Sequence, residues 1–138
     1  MSTQTIREAY EGRLATWAAG RSTPLRVAFE NVPFTPAGGE TYLRVHILPA
    51  RTVSADLEGD HRGYRGVCQV SIVCPINVGA GAAGNTADEI AALFPVNLRV
   101  TREGMTVQVI TPASVAPALP TDSSFTVPVS FEYRADTI

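Results

Sequence analysis

Residues 125–135 read FTVPVSFEYRA, and this stretch decides the fold. Phe125, Val127, Val129, Phe131 and Tyr133 alternate with Thr126, Ser130, Glu132 and Arg134. A period of two places the first set on one face of a strand and the second on the other. Such a strand needs an apolar layer to cover its inner face. Pro128 carries no N–H for a ladder, so the pattern predicts an edge strand or a bulge there.

The rest of the chain repeats that signal around two helical patterns. YRGVCQVSIVC (64–74) is a strongly β run. In TYLRVHILPA (41–50), Leu43, Val45 and Ile47 face one way, and Tyr42, Arg44, His46 and Leu48 the other. Leu25, Val27 and Phe29 mark a short half-buried strand that NVPFTP (31–36) breaks. LRVTREGMTVQVI (98–110) reads as a hairpin, with Leu98–Thr101 and Met105–Ile110 flanking a turn at Glu103-Gly104. Ile6, Tyr10, Leu14 and Trp17 share one helix face behind a Thr5/Glu8 capping box, and Gly20 stops the helix. Trp17 reads as a core anchor rather than a binding aromatic. NTADEIAALF (85–94) is the second helix. Asn85 or Thr86 caps it, Asp88 and Glu89 stand in its first turn, and Ile90, Leu93 and Phe94 form its apolar stripe. PINVGAGAAG (75–84) reads as a linker, and TPASVAPALPTDSS (111–124) as a proline-rich connector.

The order α-β-β-β-α-β-β-β has too few helices to cover both faces of a doubly wound sheet. The expected fold is α+β, a single domain over 1–138. Its sheet is mainly antiparallel (mixed), with two helices packed on one face. The 138 residues suit one domain with its own core.

Composition narrows the function. Lys+Arg 11 against Asp+Glu 13 gives a net charge of -2, which argues against a dedicated nucleic-acid binder. Every basic residue is Arg, as codon bias alone would produce. MSTQTIREAYEG has no apolar h-region, so no secretory signal is expected. The uncharged stretches 66–87 and 104–121 are too polar to span a membrane. Cys68 and Cys74 stand six residues apart on one strand, about 20 Å. That is too far for a disulfide, so both are expected as buried free thiols in a reducing compartment.

The candidate motifs of catalysis and cofactor binding each fall short. Gly79-Ala80-Gly81-Ala82-Ala83-Gly84 matches G-x-G-x-x-G, with Glu103 about 20 residues on. Four residues separate the strand from Gly79, however. The capping residues follow the third glycine, and Glu103 falls in a hairpin turn rather than at the end of a parallel strand. Asp56, Glu58 and Asp60 imitate the start of a calcium loop, but His61 stands where the loop needs Gly and Val67 where it needs Glu. His46 and His61, with Ser54, Asp56 and Asp60, make a triad only on paper, because no nucleophile elbow accompanies them. No catalytic residue, cofactor or metal site is expected. What stands out is the polar stretch 49–63 (PARTVSADLEGDHRG), a charged arm of a length that is uncommon inside a compact domain and often functional.

Several phrases in order carry a resemblance: ENVPFTPAGGETYLRVHILPA, GDHRGYRGVCQVSI, the glycine and alanine linker with its helix ending in ALFP, and VPVSFEYRA. Together they resemble a domain family of the tail gene clusters of tailed phages and prophages. That family in turn resembles the tail terminators of the minor tail protein U kind, over essentially the whole chain. The resemblance implies a structural assembly protein, not an enzyme. It implies a ring, a hexamer, that caps the tail tube, stops its polymerisation and offers a surface to the head–tail connector. Its partners would be itself, the tail tube protein and the connector, with DNA only passing through the lumen. A net acidic chain fits a lumen that attracts DNA weakly at most. Assembly in the bacterial cytoplasm and a final place in the virion tail follow. Ring subunits meet head to tail, so one chain needs two complementary surfaces. Arg51, Asp56, Glu58, Asp60, His61, Arg62 and Arg65 are the candidate residues of one. The edge near Pro128 or the 111–124 connector is the candidate for the other. The competing readings are a head-completion (neck) protein, a small-molecule or nucleotide-binding module using loop 79–84, and a free-standing domain.

Overall fold

The computed structural model describes residues 2–77, 79–121 and 123–137. Its elements run α1 (Thr3–Ala19), β1 (Arg26–Ala28), β2 (Tyr42–Pro49), β3 (Arg62–Pro75), α2 (Gly81–Leu93), β4 (Arg99–Arg102), β5 (Met105–Val109), β6 (Ser114–Val115), β7 (Leu119–Pro120) and β8 (Ser124–Thr137). The strands form one sheet of order β1-β2-β3-β8-β5-β4, with β6 and β7 also paired to β8. Only β1–β2 is parallel. The fold is thus the expected α+β domain with a mainly antiparallel sheet.

The alternation read in the sequence sets the layers. Even positions 68, 70, 72 and 74 of β3 and odd positions 127 to 135 of β8 enter the core, together with Leu43, Val45 and Ile47 of β2. Both helices pack on this face. Tyr10, fully buried, is the centre of an aromatic cluster. Its ring meets Phe131 edge-on at 5.2 Å and Phe94 at 5.8 Å, while Phe94 stacks on Phe131 at 4.8 Å. These pairs fix how both helices sit on β8. Cys68 and Cys74 are buried free thiols, as expected.

Five local expectations are corrected. Ser2 caps α1, accepting from the Gln4 N–H, and Thr5 lies buried inside the helix instead of capping it. Helix α2 begins at Gly81 rather than Asn85, because Ala83 and Ala87 bury against the sheet and draw the glycine run into the helix. Asp88 and Glu89 therefore stand mid-helix. Trp17 is half-buried at the core margin, with Arg21 over its ring at 5.3 Å. The connector 111–124 is no free loop, since β6 and β7 run along β8 in line with β5. Val78 of the linker and Asp122 of the connector lie outside the described residues.

The fifth correction concerns Pro128. Strand β8 is central, with β3 on one side and β5, β6 and β7 on the other. The Pro128 carbonyl accepts from the Ala116 N–H at 2.9 Å. In a strand, a residue's N–H and C=O point to the same neighbour, so the missing donor of Pro128 faces the break between β6 and β7. The β3 ladder loses nothing there.

Candidate interaction surface

The charged arm is a prolongation of the β2–β3 hairpin, and it is closely braced. Val53 and Gly63 exchange backbone bonds of 3.0 and 2.6 Å. Beyond them the chain turns through Gly59, whose φ of +75° suits glycine. His61 closes the turn. Its Nδ1 accepts from the Ala55 N–H at 2.9 Å, and its own N–H donates to Asp56 Oδ2 at 3.1 Å. An accepting Nδ1 puts the ring hydrogen on Nε2, which lies 2.9 Å from Asp136 Oδ1 on β8. Arg134 Nε donates to the other Asp136 oxygen at 2.8 Å. The Arg134 guanidinium holds the Asp136 carboxyl below the usual carboxylate range, against a desolvation cost and with help from His61. Arg62 donates to the Gly59 carbonyl.

Six of the seven residues proposed from sequence thus share the arm. Arg51, Asp56 and Glu58 are exposed, Asp60 is exposed, and His61 is clamped between arm and sheet. The seventh, Arg65, sits apart on the outer face of the sheet directly opposite Arg134. Its Nη1 is buried without a hydrogen-bond partner among the described residues. Leu57, which is not among the seven, stands fully exposed at 108% at the tip between Asp56 and Glu58. Its signal was visible as a leucine alone among acids.

Among the described residues no helix covers the outer sheet face, which carries Arg44, Gln69, Ser130, Glu132 and Arg134. One corner is closed by the segment after β1. Phe34 packs on Tyr42 at 4.9 Å beside Ala28 and Val73. Arg26 holds the segment down through two 2.7 Å bonds to Glu40. The Arg26 side chain is the main cause that lowers the Glu40 carboxyl to about 2.

Two open grooves flank α1. One, of about 670 Å³, runs between α1 and residues 29–32, lined by Arg7, Glu11 and Glu30. Glu30 accepts from Arg7 and, at 2.7 Å, from the Ile47 N–H beyond the end of β1. The other, of about 530 Å³, runs between α1 and β4. Its floor is Trp17, Leu93 and Val100, and Arg13 and Arg102 stand at its rim.

The groups weighed for catalysis do not converge. His46 pairs with Gln69 in mid-sheet, whereas His61 lies beyond the strands next to Asp136. Gly81 and Gly84 fall in the first turns of α2, and Glu103 sits in the β4–β5 turn at φ +51°. Strands β3 and β4, on either side of α2, are antiparallel across the intervening β8 and β5, unlike a parallel dinucleotide-binding unit. Among the described residues, no three His, Cys, Asp or Glu side chains are grouped to hold a metal ion. No helix of the described residues is long and apolar enough to cross a membrane.

The chain belongs to the phage tail terminator family, whose model, described as phage tail terminator protein, matches residues 5–133. A solved structure 45% identical in sequence superposes with a TM-score of 0.85, covering 100% of this chain and 98% of its own. No curated protein matches the chain. Membership makes it a structural protein of phage tail assembly, and implies contact with other tail components and a place in the virion tail.

Proposed function

We propose that the protein closes the tail. Copies form a ring, a hexamer, on the end of the finished tube, stop further polymerisation and present the surface to which the head connector binds. The partners on this reading are further copies of the chain, the tail tube protein and the connector, with DNA passing through the lumen. Assembly takes place in the bacterial cytoplasm. The observation that carries the reading is the family match over residues 5–133. The arm is consistent with it, because a head-to-tail ring needs two unlike, complementary surfaces on each copy and the arm offers one distinct surface.

Blocking expression of the gene in the phage or prophage that carries it tests the reading. Electron microscopy should then show overlong, headless tails of variable length. Tails of normal length that fail to join heads would instead make this a neck protein. Unaltered infectious particles would overturn the assembly role.

A further inference from the structure

We propose that the arm tip of one copy docks in the α1–β4 groove of the next, with Leu57 as the apolar plug that joins successive copies. The inference rests on the ring reading and names the contact that builds it.

Three observations lead to it. Leu57 is wholly exposed at the end of a braced arm, so its entire side chain is available to be buried by a partner. The groove offers the matching floor in Trp17, Leu93 and Val100, and its open volume accommodates a side chain of that size. The charges also match. Leu57 is flanked by Asp56 and Glu58, and Glu58 makes no ion pair or hydrogen bond among the described residues. At the groove rim, Arg102 is paired with Glu8, whereas Arg13 donates to the Leu93 carbonyl at 2.9 Å and meets no carboxylate among the described residues. An acidic tip thus faces a rim with a surplus positive charge.

The geometry excludes a contact within one chain. The arm leaves β2 and β3, and β8 and β5 stand between those strands and β4. Arm and groove are therefore two different surfaces of one copy, the requirement for a head-to-tail contact that closes into a ring.

Disulfide trapping in assembled tails tests this with the full chain. The native Cys68 and Cys74 are buried, and burial pushes both thiols up, so they stay silent under mild oxidation. The double variant Leu57→Cys/Val100→Cys should give a ladder of covalent multimers, and each single variant none. Glu58→Arg should reduce the ring population, and Glu58→Arg with Arg13→Glu should restore it. That exchange decides the matter if the cysteine variant does not assemble. A closed oligomer without the cross-link and without charge rescue overturns the groove contact and leaves the ring reading intact. So does a ladder formed by Leu57→Cys with Leu119→Cys, which puts the arm on the β6–β7 edge. Electron micrographs with no closed oligomer at the tube end overturn both.

Discussion

Adding one methyl group at two glycines should move the stability of this domain in opposite directions. A Cβ on Gly66 would stand 2.4 Å from the Tyr133 hydroxyl and 2.6 Å from the Leu48 carbonyl oxygen. Gly66 pairs with Tyr133 across β3 and β8, at the root of the arm. Tyr133 is packed in the core at 1% exposure, and the Leu48 oxygen is backbone, so neither yields cheaply. Overpacking of this kind costs about 2–3 kcal/mol. For a domain of this size that is a fall in Tm of about 6–10 °C. At Gly12, on the exposed side of α1, a Cβ meets nothing within 4 Å. There Gly12→Ala should gain about 0.5–1 kcal/mol from helix propensity, and raise Tm by about 2–4 °C. Scanning calorimetry on both variants reads the two signs. Gly66→Ala with Tyr133→Phe should recover only part of the loss, because the Leu48 contact remains. A Gly66→Ala melting point within about 2 °C of the parent would refute the close-approach argument, since even the low end of overpacking exceeds that shift.

Three further outcomes are expected. The Tyr10 hydroxyl is buried without a hydrogen-bond partner among the described residues. Tyr10→Phe should therefore raise stability by about 1 kcal/mol in urea unfolding, and Tyr10→Ala should lower it by about 3–5 kcal/mol. A loss with Phe would mean the hydroxyl is bonded after all. By NMR, the Glu40 carboxyl should titrate at about 2 and rise toward the ordinary carboxylate range in Arg26→Ala, stopping short of it because the Ala37 N–H still donates to Glu40. The folded value is the depressed one, so this stabilisation is present above the unfolded pKa and disappears as pH falls toward about 2. Unchanged titration in Arg26→Ala would remove Arg26 as its cause. His61→Ala should open the arm without unfolding the domain, and trypsin should cut after Arg51 and Arg62 about tenfold faster. Cutting at the parental rate would show that His61 does not brace the arm.

Alternation made the main strands legible because a half-buried strand writes its two faces into alternate residues. The face pattern of β2 and the inner face of β8 follow from it directly. The start of α2 was hidden for the opposite reason. Glycine and asparagine signal a loop locally, but burial of Ala83 and Ala87 against the sheet outweighs about 1 kcal/mol of propensity per glycine. Pro128 misled because the position of a proline in a sheet depends on which neighbour its missing N–H faces, and that neighbour, 112–120, carries little strand signal of its own. The arm was legible as charge. Its bracing was not, because His61 and Asp136 are 75 residues apart and meet only through the β3–β8 register.

That bracing bears on how an assembly protein binds. Ordering a mobile segment at an interface costs about 0.5–1.5 kcal/mol for each side chain immobilised. In this arm the turn is already closed around one histidine, whose imidazole meets Ala55 and Asp136 and whose backbone N–H donates to Asp56. Folding therefore meets most of the ordering cost before any partner arrives, and leaves Leu57 as the exposed group whose burial rewards docking. Such an arm adds little to the stability of an isolated subunit, which already has its core between the helices and the sheet. Its shape matters only against another surface. On this argument, variants that loosen the arm should weaken assembly while the melting point stays near the parent's, and variants of the core should do the reverse.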